Sequence, residues 1–249
     1  MMWAGVIGSP IEHSLSPVIH RAAWEDLGIV GWEYRRIEHD EASLPEFISG
    51  LDESFRGLSV TMPCKQAIIP LLDAIDPLAT AVGAVNTVVP SSGVLAGFNT
   101  DVTGIASAIR RACSQAERAL PTSAVVLGAR ATASSALAAL GELDIVTSTV
   151  AARRFGGPGS VVAASSLGIS IEQVLWSDRR AVLRAVSGAD LVISTLPAGV
   201  ADSLAEEMTV REGQVLLDVV YSPRETALRS AFERNGGIVA EGTDMLIFQ

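Results

Sequence analysis

Of the 18 basic residues in this chain, 17 are arginine, and the one lysine is Lys65. A guanidinium stays protonated in proteins, whereas a lysine ammonium can be tuned by its surroundings and can pass a proton. Lys65, at the end of Ser59-Val60-Thr61-Met62-Pro63-Cys64-Lys65, is therefore the first candidate for acid–base chemistry, with codon bias toward arginine as the bland alternative. Upstream, Gly8-Ser9-Pro10-Ile11-Glu12-His13-Ser14-Leu15-Ser16-Pro17 sets two serines one residue apart, just before a predicted helix. Hydroxyls and backbone amides at a helix N-terminus make a neutral anion site that suits a carboxylate. Simple N-capping is the ordinary job of serine there. Gly83-Ala84-Val85-Asn86-Thr87 and Asn99-Thr100-Asp101-Val102-Thr103-Gly104 follow, and each by itself could be a turn or a cap.

The second half carries a different signal. An apolar run at 124–127 leads directly into Gly128-Ala129-Arg130-Ala131-Thr132-Ala133 and an alanine-rich helix. That is where a dinucleotide site needs its turn, with phosphates on backbone N–H groups at the helix N-terminus. Gly128 supplies the tight turn and Ala133 the close packing, but Arg130 replaces the middle glycine that admits pyrophosphate. NAD enzymes place Asp or Glu about 20 residues further on, against the ribose 2′-hydroxyl. Residues 145–171 contain no acidic residue, and the strand at 147–152 ends in Arg153-Arg154. An arginine pair there suits the 2′-phosphate of NADP; a solvated strand end is the alternative.

These groups must be carried by the alternating elements that the sequence predicts. Strands are expected at 4–7, 32–36 and 57–61, and helices at 17–27, 44–51 and 65–75. A hairpin is expected from 85–89 and 94–98 around Ser91-Ser92-Gly93, then a helix at 104–117. Beyond Pro121, strands at 124–127, 147–152, 191–194 and 215–219 alternate with segments 133–140 and 200–208. Such alternation predicts α/β architecture with mainly parallel sheets, and the change near 103–121 predicts two domains.

Composition narrows the function. The chain has 249 residues, 49% of them apolar, and a formal net charge of −10 with no long basic run, which argues against nucleic-acid binding. Cys64 and Cys113 are too few for a disulfide framework and suit a reducing cytoplasm. Neither they nor His13, His20 and His39 show metal-ligand spacing, so no metal is expected. No 18-residue apolar stretch and no basic leader is seen, so the expectation is a cytoplasmic protein that does not bind membranes.

Taken together and in this order, the motifs resemble the shikimate dehydrogenase family over essentially the whole chain. The resemblance implies an N-terminal α/β substrate domain at 1–103 with 240–249, and a Rossmann-type NADP-binding domain at 104–239. Ser14 and Ser16 match the serines that bind the substrate carboxylate. Lys65 and Asp101 match the catalytic pair in V-T-x-P-x-K and N-T-D-x-x-G, and Asn86 the asparagine of A-V-N-T. Asp218-Val219-Val220-Tyr221-Ser222-Pro223 makes Tyr221 a substrate-side contact. Gly242-Thr243-Asp244-Met245-Leu246-Ile247-Phe248-Gln249 makes Gln249 a contact to substrate hydroxyls. Thr61 and Ser59 join the same set, although the family usually has asparagine where Ser59 stands. Arg130 and Ala131 stand where it has a glycine pair, and members usually continue past the glutamine with a further helix.

The resemblance implies reduction of 3-dehydroshikimate to shikimate with NADPH, in aromatic amino-acid and chorismate biosynthesis, by a monomer or homodimer. The cofactor contacts would be Gly128, Ala129, Arg130, Ala131, Thr132, Ala133, Arg153 and Arg154. An NAD-dependent quinate or shikimate dehydrogenase is the nearest alternative. A non-catalytic shikimate binder with an impaired cofactor turn is a further one.

Overall fold

In the first strand, β1 (Met2–Gly8), Trp3 and Ile7 fall on one face and Ala4 and Val6 on the other, the two-residue period of a strand buried on both sides. A computed structural model describes residues 1–249 and resolves the chain into two six-stranded sheets. After β1 come α1 (Ser16–Asp26), β2 (Trp32–Glu38), α2 (Leu44–Ser49) and β3 (Phe55–Val60). Both β2 and β3 pair parallel to β1. Trp3 and Ile7 pack with Leu58, Val60, Ile68 and Val88, while Val6 meets Ile11, Tyr34 and Trp24 on the other face.

The chain then forms α3 (Cys64–Ala67), β4 (Ala74–Ile75), α4 (Pro77–Val82), β5 (Thr87–Ser91) and β6 (Val94–Phe98). The sheet order is β2-β1-β3-β5-β6-β4, with β5 antiparallel to both β3 and β6. This sheet is mixed, with β1–β2, β1–β3 and β4–β6 parallel and the two pairings of β5 antiparallel. Its hairpin turns through Ser92 and Gly93, both at positive φ, which matches the twist of the paired strands. The helix expected at 65–75 stops at Ala67 and gives way to a 3₁₀ turn at Ile69–Leu71. Pro70 has no N–H to carry the helical ladder. Asp73 instead pairs with Leu95 through its backbone N–H and its carboxylate, leading into β4.

The second unit runs through α5 (Asp101–Gln115), β7 (Ser123–Leu127), α6 (Ala131–Glu142), β8 (Thr147–Ala152), α7 (Ser160–Leu167) and β9 (Ile171–Leu175). It continues through α8 (Arg179–Gly188), β10 (Leu191–Ser194), α9 (Asp202–Glu207), β11 (Val215–Asp218), α10 (Ala227–Arg234), β12 (Ile238–Ala240) and α11 (Gly242–Phe248). All its strands pair parallel, in the order β12-β11-β10-β7-β8-β9. The winding direction therefore reverses between β7 and β10, the doubly wound order whose ligand crevice lies beyond the carboxyl ends of those strands. Val125, Leu127, Val192, Leu216 and Phe232 fill its core, each contributing roughly 1.5–3 kcal/mol by leaving water.

Packing divides the chain into Met1–Thr100 and Asp101–Gln249. The expected division lay at 103 and returned 240–249 to the first domain, whereas α11 packs on α5 within the second unit. No helix is long and apolar enough to cross a membrane.

One tie in the second sheet has a measurable consequence. Asp190, just before β10, accepts hydrogen bonds from Thr122 Oγ1 at 2.8 Å, Ser123 Oγ at 3.0 Å and Arg211 Nη2 at 3.2 Å. Partial burial opposes its ionisation, but these bonds prevail and lower the carboxyl from 3.8 to about 2. A depressed folded pKa stabilises the protein above pH 3.8, and that contribution is lost as pH falls toward 2. The side chain is 38% exposed, so solvent screening leaves about 1 kcal/mol. Asp190→Asn is expected to lower unfolding stability by that amount at pH 7 and to flatten the acid limb between about pH 4 and 2, read by urea titration.

Candidate active site

The two-serine loop is held from several sides. Ser14 and Ser16 are both buried, and the Ser16 N–H donates to Ser14 Oγ at 3.3 Å. Arg36 on β2 forks onto the Ser14 carbonyl through Nε at 3.1 Å and Nη2 at 2.8 Å. His20, one turn into α1, reaches the Ser16 carbonyl at 2.8 Å. A carbonyl only accepts, so Nδ1 carries the proton. Burial lowers the His20 pKa, against the raising effect of that bond, which favours the neutral ring.

The lysine segment lies alongside. Ser9 N–H donates to the Met62 carbonyl and Thr61 N–H to the Ile7 carbonyl, both at 2.9 Å, tying Thr61 and its loop to the end of β1. Lys65 sits in the single turn of α3, only 9% exposed. Its carbonyl accepts from Val85 N–H at 2.8 Å, which joins it to the A-V-N-T turn. Beside it, burial first, and then Glu41 and Asp40, push the Cys64 thiol up to about 11, and the S–H donates to the His39 carbonyl. Cys64 is thus a protonated core thiol and no nucleophile.

Asn86 is the hub of this half. Its Oδ1 accepts from Thr100 N–H at 2.8 Å and from Thr87 Oγ1 at 3.0 Å, while Nδ2 donates to Thr100 Oγ1 at 2.9 Å. A backbone N–H can only donate, which fixes the amide orientation. The main chain of Asn86 bonds Val60 N–H and the Phe98 carbonyl. Asn99 Nδ2 donates to the Ala84 carbonyl at 2.9 Å, so the A-V-N-T and N-T-D motifs form one hydrogen-bonded knot.

Asp101 opens the second unit as the first residue of α5, and it is 1% exposed. The glycine of N-T-D-x-x-G lies one turn on. A Cβ at Gly104 would stand 2.7 Å from the Met245 carbonyl and 3.1 Å from Gln249 Cβ, so only glycine lets α11 settle on α5. Arg111 on α5 reaches Asp244 at 3.4 Å, and exposed Gln249 ends the same helix pair. At the end of β11, burial raises the Asp218 pKa despite its bonds to Thr226, Val220 and Ser194. Asp218 accepts from Thr226 Oγ1 at 2.8 Å and Val220 N–H at 3.3 Å, bracing the loop that carries half-buried Tyr221.

The turn expected to hold the cofactor falls at the carboxyl end of β7, beside the switch point. Gly128 has φ +111°, and a Cβ there would collide with Thr195 Oγ1, itself bonded to the Leu127 carbonyl. Ala129 accepts from Ser160 N–H at 3.0 Å, Arg130 caps α6 with an exposed side chain, and Ala131 and Thr132 form its first turn. Ala133 is fully buried against the sheet side. Arg130 has φ −95°, so an L residue fits without strain, and the turn survives loss of its middle glycine. A cation at a helix N-terminus is unfavourable unless an anion joins it. Arg153 and Arg154 leave β8 exposed, one strand over at the same sheet edge. This donor set, free of carboxylates, fits a phosphorylated dinucleotide.

Arg36, His20 and Tyr34 were not among the expected site residues. They carry no motif, and their roles arise from pairings 4 to 25 residues apart in sequence. Tyr34 Oη lies 2.7 Å from Ser59 Oγ.

The shikimate dehydrogenase substrate binding domain matches residues 6–88. The shikimate dehydrogenase (NADP(+)) of Methylobacterium radiotolerans is 37% identical over 253 residues, covering 99% of this chain and 87% of its own. The crystal structure of Mycobacterium tuberculosis shikimate dehydrogenase superposes with a TM-score of 0.83 at 36% identity, covering 100% of this chain and 90% of that one. A Thermus thermophilus shikimate 5-dehydrogenase in complex with NADP(H) and shikimate gives a TM-score of 0.80 at 30% identity, covering 99% and 89%. With likeness of this extent in both sequence and fold, the chain belongs to the shikimate dehydrogenase family.

Proposed function

We propose that this chain catalyses the reversible reduction of 3-dehydroshikimate to shikimate with NADPH, in the cytoplasm, as a monomer or homodimer. The observation that carries the reading is Lys65, the one side-chain amine, buried on a turn bonded to the Asn86 knot. Residues 1–103 with 240–249 serve the substrate, and 104–239 serve the cofactor.

A bound NADP(H) would supply or accept the hydride. Backbone N–H groups of the turn from Ala129 to Ala133 would hold its pyrophosphate together with Arg130, the Gly128 N–H being bonded to the Ala151 carbonyl, and Arg153 and Arg154 would hold the 2′-phosphate. As the carbonyl becomes an alcohol, negative charge grows on its oxygen, and Lys65 Nζ gives that oxygen a proton. In the oxidation of shikimate, Lys65 accepts the same proton. Arginine could not serve, because its pKa lies too high to exchange it. Asp101 is the carboxylate partner of the ammonium in this step. Ser14, Ser16 and Tyr221 anchor the substrate carboxylate, and Ser59, Thr61, Asn86 and Gln249 read the ring hydroxyls.

Three outcomes test these roles. Lys65→Ala is expected to lower shikimate-dependent NADP reduction ~10²–10⁴-fold while shikimate still raises the melting temperature. Near-normal turnover in that variant would remove Lys65 from the mechanism. Replacing Arg153 and Arg154 together by alanine should raise the KM for NADP about tenfold or more and leave that for NAD unchanged. Gly104→Ala should displace α11, lowering stability by about 1–3 kcal/mol and raising the shikimate KM through Gln249. An unchanged melting curve and KM would show that the α5–α11 fit is irrelevant to the site.

A further inference from the structure

The loop that carries Ser14 and Ser16 begins as a single tight turn. Ser14 N–H donates to the Ile11 carbonyl at 3.0 Å, closing Ile11–Ser14 with Glu12 and His13 at its corner. Ile11 is buried with Val6 and Tyr34, so the first residue of the turn is sunk in the core. The N–H that enters the turn and the carbonyl that leaves it are both taken by side chains of β2. Glu38 Oε2 accepts from Ile11 N–H at 3.0 Å, and Oε1 accepts from Ser9 Oγ at 2.7 Å. Arg36 donates to the Ser14 carbonyl through Nε at 3.1 Å and Nη2 at 2.8 Å. Alternate residues of a strand share a face, so one strand presents a carboxylate and a guanidinium to the two ends of one turn. Each charge meets the only group it can bond, because an N–H donates and a carbonyl accepts.

We propose, on the basis of the function assigned above, that Arg36 and Glu38 are positioning residues that clamp the Ile11–Ser14 turn and so preset the carboxylate anchor. Glu38 fixes where the chain enters the turn, and Arg36 fixes the peptide from which it runs on to Ser16. Just beyond the clamp, Ser16 N–H donates to Ser14 Oγ, which spends a lone pair of that hydroxyl and leaves its one proton to a carboxylate. Without the clamp, an arriving carboxylate has to order the loop itself, and the entropy lost in doing so is subtracted from binding. The substrate carboxylate is charged before, during and after the reaction. Its anchor therefore acts alike on ground state and transition state, and a loosened anchor shows in KM rather than in kcat.

The test compares shikimate and NADP kinetics and melting curves for wild type, Arg36→Met, Glu38→Ala, Glu38→Gln and the exchange of Arg36→Glu with Glu38→Arg. Arg36→Met and Glu38→Ala are each expected to raise the shikimate KM about five- to tenfold, with kcat within about twofold and the NADP KM unchanged. Glu38→Gln should recover most of that loss, because its carbonyl can accept from Ile11 N–H while its amide donates to Ser9 Oγ. The exchange keeps the net charge but turns a carboxylate to the Ser14 carbonyl and a guanidinium to the Ile11 N–H. It should therefore be at least as poor as either single variant. An active wild type with an unchanged shikimate KM in Arg36→Met and Glu38→Ala, or an exchange that restores the wild-type KM, would overturn the proposal alone. Equal losses for shikimate and NADP with a lower melting temperature, not recovered by Glu38→Gln, would overturn it too, by marking the pair as merely structural. A wild type without shikimate turnover would overturn the functional reading, and this proposal with it.

Discussion

The carboxamide of Asn86 is the constraint on which the N-terminal half depends. Through side chain and main chain it holds Thr100, Thr87, Val60 and Phe98, bridging β3, β5 and β6 at one point. The next residue back, Val85, holds the Lys65 carbonyl, and Thr100 immediately precedes Asp101. The segment that carries Lys65 and the residue that precedes Asp101 are therefore both tied to this one stretch of chain. Such an arrangement is costly to disturb, because a buried donor or acceptor left without its partner loses about 1–3 kcal/mol.

The site concentrates polar and ionisable groups where burial disfavours them. Ser14, Ser16, Lys65, Asn86, Asn99 and Asp101 are all buried. An apolar lining of the same shape would be more stable, so the two hydrophobic cores must carry that cost. The second unit divides the work in the same way. Its strands are buried and apolar through Leu127, and the chain turns polar and glycine-bearing only at the carboxyl edge, where phosphates would meet backbone N–H groups.

Much of this was legible in the residues. A single lysine among arginines, the S-x-S turn, A-V-N-T and N-T-D-x-x-G are local strings, and the chemistry they imply is local too. Strands β7, β8, β10 and β11 were visible as apolar runs because the doubly wound sheet buries both their faces. The edge strand β9 was not, since Ile-Glu-Gln-Val-Leu is half exposed and shows no apolar run, and β12 is only three residues long. The 65–75 helix failed where Pro70 removed a donor and the pairing with β6 took over. Tyr34 was hidden for a different reason: its partner Ser59 lies 25 residues away, and only the β2–β1–β3 pairing brings them together. Sequence showed what could react, while tertiary pairing showed what aims it.

The most direct measurement is the initial rate of absorbance change at 340 nm with shikimate and NADP, beside shikimate with NAD and quinate with each cofactor. The assignment of Lys65, the switch-point turn and the Arg153–Arg154 pair predicts reduction of NADP by shikimate, with a higher kcat/KM than any of the other three mixtures. Preference for NAD or quinate, or silence in all four while shikimate still raises the melting temperature, would contradict it.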